Sequence, residues 1–84
     1  MKSDSIVNDL IRISSEIEFF SKLYNFAVVD PSNEFIHKMD SIAVKIHVLL
    51  FKNKWENGEL EQIFDLYSQF HVLMFQLYLS LRKE

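Results

Sequence analysis

The stretch that decides the fold is residues 6–27, IVNDLIRISSEIEFFSKLYNFA. Its apolar side chains alternate at spacings of four and three residues, at Ile6, Leu10, Ile13, Ile17, Phe20, Tyr24 and Ala27. This heptad spacing places side chains along one face of an α-helix. The stretch therefore predicts a first helix over residues 4–28. Asp30-Pro31 is expected to end it, because a residue before proline is pushed out of the helical region.

Two further helices follow from the same kind of pattern. Asp30 suits the N-cap of a helix and Pro31 its first position, which predicts a second helix over residues 31–54. The Asn57-Gly58 pair predicts a tight turn and a third helix over residues 58–83. The apolar face of the second helix, called its seam, is Phe35, Ile36, Met39, Ile42, Ala43, Ile46, Leu49 and Leu50. The seam of the third is Leu60, Ile63, Tyr67, Phe70, Met74, Leu77 and Leu81.

Three helices joined by short connections must fold back on one another. The sequence therefore predicts one all-α domain over residues 1–84, an antiparallel three-helix bundle that runs up, down and up with coiled-coil-like packing. At 84 residues, the chain is near the size at which one core just supports a fold without disulfides or metals. Dimerisation into a larger helical bundle is an open alternative.

Seven apolar side chains fall outside these seams on a helical wheel. They are Val44, Val48, Phe51, Trp55, Val72, Phe75 and Leu79. One interpretation is a wide core that absorbs them. We favour the other, an apolar interface on helices 2 and 3, because so small a bundle has too little interior for these residues and three full seams. Phe51 and Trp55 are the expected anchors, lying outside the core.

Composition excludes several classes of partner. The 12 acidic and 9 basic residues are intermixed and the net charge is −3, so we predict no nucleic-acid partner. Lys45, Lys52 and Lys54 make too small a basic strip to change this. The uncharged segment 66–81 is shorter than the ~20 apolar residues that span a membrane, so we expect no membrane contact. With no cysteine and no apolar signal segment, we predict a cytoplasmic protein.

Side chains that could bind a metal or take part in catalysis are few, and they are scattered along the sequence. Glu34 and His37 form one Glu-x-x-His pair on a polar helix face, whereas carboxylate metal sites in bundles use two such pairs. His47 and His71 each border a seam, where an imidazole usually packs its ring and hydrogen-bonds locally. There is no cysteine nucleophile and no glycine-rich phosphate loop. We therefore predict no enzymatic activity, no cofactor and no metal.

These observations predict a small non-enzymatic module for protein–protein interaction, of the adaptor, chaperone, immunity-protein or inhibitor type. It is expected to bind a protein partner through the apolar surface on helices 2 and 3. One alternative is a structural homodimer or oligomer, in which the spare stripes of two copies pair. Another is a bundle that binds an apolar small ligand among its 8 phenylalanines.

Overall fold

The structure, a computed structural model, describes residues 2–52 and 54–82. Its helices are α1 (Lys2–Asn25), α2 (Glu34–Leu50) and α3 (Glu59–Arg82), and the described residues form no strand. The prediction of an all-α three-helix bundle is confirmed. Helix α2 packs against both neighbours, whereas α1 and α3 pack far less closely with each other. Helices α1 and α3 still meet through side chains, since the rings of Phe20 and Phe70 lie 5.2 Å apart.

Helix α1 ends three residues earlier than predicted, and Ala27 is the reason. Ala27 has a positive φ of 56°, the left-handed conformation that commonly follows the end of a helix. The amide of Val28 donates to the carbonyl of Leu23 at 2.9 Å, and that of Ala27 to Tyr24 at 3.1 Å. These two bonds form a Schellman motif. The helix is stopped by its own C-cap before Asp30-Pro31 is reached.

Helix α2 begins three residues later than predicted. Its N-cap is Asn33, whose side-chain oxygen accepts hydrogen bonds from the amides of Phe35 at 2.9 Å and Ile36 at 3.3 Å. Asp30 instead accepts from the amide and the hydroxyl of Ser32, at 3.0 and 2.7 Å. Asp30 therefore shapes the turn ahead of the helix, and the prediction that it caps α2 was wrong.

The predicted end of α2 at Lys54 was also wrong, because the helix ends at Leu50 with Phe51 as its C-cap. Gly58 has a φ of 86°, which only glycine adopts freely, and α3 starts directly after it. The side chain of Glu59 accepts a hydrogen bond from the amide of Glu56 at 2.8 Å and pairs with Lys52. The predicted end of the third helix, Lys83, lies outside the described residues.

One apolar core joins the three helices. Ile13, Ile17, Ile46 and Ile63 are fully buried and Phe70 almost so. The complete set of buried apolar residues is Ile13, Ile17, Phe20, Ile36, Met39, Ala43, Ile46, Leu49, Ile63, Leu66, Tyr67 and Phe70. Every α2 member of this set comes from the predicted seam.

The predicted seam of α3 is correct only in its first half. Met74 and Leu81 are exposed although they continue the face of Ile63 and Phe70, and Leu66 is buried although it was not placed in the seam. The core therefore does not extend along the whole of α3. In its C-terminal half, Leu73 and Leu77 are only partly buried against the core.

Candidate interaction surfaces

The seven side chains predicted to form an interface are all exposed, from 36% for Trp55 to 80% for Phe51. They divide into an α2 stripe (Val44, Val48, Phe51, Trp55) and an α3 stripe (Val72, Phe75, Leu79). The α2 stripe lies beside the connection to α3. Leu79, by contrast, lines a groove with Phe35 near the start of α2. Because α2 and α3 run antiparallel, the stripes lie at opposite ends and form two surfaces rather than one patch.

The α2 stripe is continued by exposed residues of α1. Val7 and Ile11, 52% and 59% exposed, line a groove of about 460 Å³ together with Phe51 and Trp55. Val44 and Val48 line the adjoining groove farther along α1. Val7 and Ile11 were not predicted to belong to this surface, although both lie off the seam of Ile6, Leu10 and Ile13 on the same helical wheel. This apolar surface spans both α1 and α2.

His47 forms part of the floor of both grooves. Its ring lies 5.9 Å from that of Phe51, and its Nε2 atom is buried with no hydrogen-bond partner among the described residues. The ring of His47 therefore packs against a neighbour, as predicted. The predicted local hydrogen bond is not made by its Nε2 atom. Phe51 lies beside this half-buried imidazole, and Phe51 itself is 80% exposed.

Trp55 differs from the other members of its stripe. Its indole Nε1 donates a hydrogen bond of 2.7 Å to the carbonyl of Leu49, in the last turn of α2. The same carbonyl also accepts a hydrogen bond from the amide of Lys52 at 3.3 Å, so the indole adds a further bond at the end of the helix. Trp55 therefore helps to stabilise the end of α2, a role that its spacing in the sequence does not reveal. Phe51 is the more exposed of the two aromatic side chains.

A third apolar surface lies between α1 and α3. A groove of about 280 Å³, called the α1–α3 groove, is lined by Phe19, Phe20 and Leu23 from α1 and by Phe70, His71 and Met74 from α3, with Glu16 at its edge. Phe19 and Met74 are 64% and 43% exposed. Sequence reasoning missed this groove because Met74 was assigned to the core and Phe19 was not considered.

Polar contacts across the α1–α3 groove converge on the carboxylate of Glu16. The Tyr67 hydroxyl donates to Glu16 Oε2 at 2.7 Å, and His71 Nε2 lies 3.2 Å from the same oxygen. The rings of Tyr67 and His71 lie 4.2 Å apart. His71 thus hydrogen-bonds to a residue of another helix, which sequence spacing alone does not reveal.

These contacts shift the acid–base equilibria of two residues. Partial burial raises the pKa of Glu16, but the hydrogen bonds from Tyr67 and His71 outweigh it and hold the pKa below its ordinary value. Burial and the hydrogen bond to Glu16 both raise the pKa of Tyr67. At neutral pH the pair is therefore a carboxylate and a neutral phenol, the arrangement in which this hydrogen bond is charge-assisted.

The other residues singled out in the sequence lie apart from these surfaces. Glu34 pairs with Lys38 at 3.0 Å on the exposed face of α2, and His37 is exposed beside them. No group of three potential metal ligands occurs within residues 2–52 and 54–82. Lys52 pairs with Glu59, so it is not part of a free basic strip.

No helix in the described part of the chain is long and apolar enough to cross a membrane. No known protein family matches the chain, and no curated protein or solved structure is significantly similar to it.

Proposed function

We propose that this protein is a small, non-enzymatic interaction module that binds a protein partner in the cytoplasm. The α2 stripe, together with Val7 and Ile11 of α1, is the docking surface. The α3 stripe offers a second docking surface at the opposite end of the α2–α3 pair. The observation that carries the proposal is the exposure of large apolar side chains, such as Val48 at 63% and Phe51 at 80%, side by side on this face.

An exposed apolar face of this kind is unfavourable unless something covers it. Contiguous apolar surface on a protein marks an interaction site more often than single exposed residues do. Phe51 is also suitable as an anchor, since aromatic side chains dominate the energetics of protein interfaces. Its position at the C-cap of α2 fixes its backbone while its ring projects into solvent.

The shape of the groove favours a protein over an apolar small molecule. Small-ligand sites bury about 70–90% of the ligand surface. Val7, Ile11 and Phe51, which line the groove between α1 and α2, are each more than half exposed. A small molecule resting against them would keep much of its own surface in water, whereas a helix or loop of a protein covers the whole face.

The test is affinity capture from the native host, followed by mass spectrometry, with matched variants of α2. Val44→Ser with Val48→Ser should abolish capture of the specific partner, because both side chains belong to the docking surface. Lys45→Ser, which shortens an exposed polar side chain between them, should leave capture unchanged. Capture that is equal for wild type and the valine variant would refute the α2 stripe as the docking surface.

A further inference from the structure

Asn57 and Gly58 form the turn ahead of α3, and the proposed docking function makes no use of this pair. Gly58 is the one glycine of the chain, so Asn57 is the one asparagine that a glycine follows. Both residues are exposed. Gly58 has a φ of 86°, and a Cβ at its position would meet no atom within 4 Å. The backbone therefore has room to rotate here, and no side chain of Gly58 blocks an approach to its amide nitrogen.

We infer that Asn57 is a site of spontaneous deamidation, in which its side-chain amide is lost to attack by the backbone of Gly58. The reaction begins when a base removes the proton from the amide nitrogen of Gly58. A bond forms between that nitrogen and Cγ of Asn57, and the bond from Cγ to Nδ2 breaks. Nδ2 takes up a proton and leaves as ammonia.

Water completes the modification of Asn57. The first step leaves a cyclic succinimide, which a water molecule opens at either of its two carbonyls. Opening at one carbonyl gives an aspartate, and opening at the other gives an isoaspartate, in which the main chain runs through the former side chain. No electrons pass to or from another molecule, so water is the only co-reactant.

The structure leaves the attacking nitrogen available. The amide of Gly58 has no hydrogen-bond partner among residues 2–52 and 54–82. Its neighbours differ, because the amide of Glu59 donates to the carbonyl of Glu56 at 3.1 Å and the amide of Glu56 donates to the side chain of Glu59 at 2.8 Å. An amide held in a hydrogen bond is not free to turn towards the preceding side chain. The amide of Gly58 carries no such restraint from the described residues.

The other asparagines that the structure describes are held differently. Asn8 lies within α1, where the helix fixes the backbone of the following residue. Asn25 is followed by an amide that donates to the carbonyl of Lys22 at 3.0 Å. Asn33 is held by its own side-chain oxygen, which caps α2. Deamidation of the folded protein should therefore be concentrated at Asn57.

The product alters the turn in two ways. It adds one negative charge to a chain whose net charge is −3, and the isoaspartate form also adds one carbon to the main chain. The two hydrogen bonds between Glu56 and Glu59 close over Asn57 and Gly58, so a longer main chain between them disturbs both. Trp55, the one tryptophan of the chain, directly precedes Glu56. Its fluorescence should therefore report the change.

The test is prolonged incubation of the purified protein, with peptide mass spectrometry at intervals. Conversion of the amide to a carboxyl group should be at least about tenfold faster at Asn57 than at Asn25, and about equally fast at Asn57 in the folded chain and in the chain unfolded by guanidinium chloride. The rate at Asn57 should rise in mild alkali, because the deprotonated amide is the nucleophile.

Asn57→Gln is the matched control. It keeps an exposed primary amide but lengthens the side chain by one carbon, so the succinimide cannot form. This variant should keep its amide through the same incubation, and its tryptophan emission should stay constant while that of wild type shifts.

An Asn57 that stays intact in the folded protein would overturn the inference, because the fold would then hold the amide of Gly58 out of reach. Conversion at Asn25 or Asn33 as fast as at Asn57 would overturn it as well. Conversion at Asn57 without a shift in tryptophan emission would overturn the effect on the turn. Conversion concentrated at Asn57, with a shift that Asn57→Gln lacks, supports the inference. None of these results depends on the proposed docking partner, which the capture experiment tests separately.

Discussion

The hydrogen bond between Tyr67 and Glu16 gives the most specific prediction, because it joins the two helices that pack least closely. Tyr67→Phe removes the hydroxyl and keeps the ring, so the core around the ring stays filled. A hydrogen bond to a charged group contributes about 1.5–3 kcal/mol. The Glu16 side chain is 40% exposed, so water replaces part of the lost bond and we expect a loss of about 1 kcal/mol.

This loss should depend on pH. The folded protein holds the pKa of Glu16 below its ordinary value of 4.5, so the ionised carboxylate stabilises the fold above that pH. The stabilisation is lost as the pH falls through the lowered pKa of the folded state. In acid, Tyr67 donates to a neutral carboxyl group, and the difference between Tyr67→Phe and wild type should become smaller.

Thermal unfolding followed by circular dichroism measures both effects. At neutral pH, Tyr67→Phe should melt about 4–8 °C below wild type, the shift that 1 kcal/mol produces in a domain of this size. Tyr24→Phe is the control, since Tyr24 is a half-buried tyrosine of α1 whose hydroxyl has no hydrogen bond among the described residues. Equal melting of Tyr67→Phe and wild type, or an equal loss in Tyr24→Phe, would show that the bond between α1 and α3 does not contribute.

Four further substitutions test the core and the helix ends by denaturant unfolding. Ile46→Asp should leave the chain unfolded, because Ile46 is fully buried and an unpaired carboxylate there costs several kcal/mol; a cooperative transition like that of wild type would contradict this. Ala27→Gly should stabilise the protein by up to about 1 kcal/mol by relieving the positive φ, and a loss of stability would contradict the C-cap assignment. Asn33→Ala should cost about 1 kcal/mol and Asp30→Ala less, and the reverse order would restore Asp30 as the cap.

The heptad spacing was sufficient to predict the helices and most of the core. Ile13, Ile17 and Ile46 were assigned to seams from the sequence and are fully buried. The helix ends were less predictable, because more than one residue near an end has a side chain suited to cap the helix. Asp30 and Asn33 are both good N-caps, and only the path of the chain after Ala27 decides between them.

The groove and its contacts could be predicted much less well. A helical wheel shows that Phe19 lies off the α1 seam, but not whether α3 covers it. That depends on how closely α1 and α3 approach each other. The hydrogen bond of Glu16 to Tyr67 joins residues 51 positions apart, and no local pattern encodes such a pair. Spacing within one helix predicts which face is buried, whereas contacts between helices depend on their relative rotation and separation.

The measurement that tests the central claim most directly is a comparison of stability and binding in Phe51→Ser. Phe51 is the most exposed member of the α2 stripe, at 80%. If the stripe is a docking surface, the variant keeps a melting temperature close to that of wild type and loses its protein partner, since an interface anchor contributes about 2 kcal/mol or more. A variant that melts many degrees lower while binding its partner normally would show that Phe51 belongs to the fold rather than to an interface.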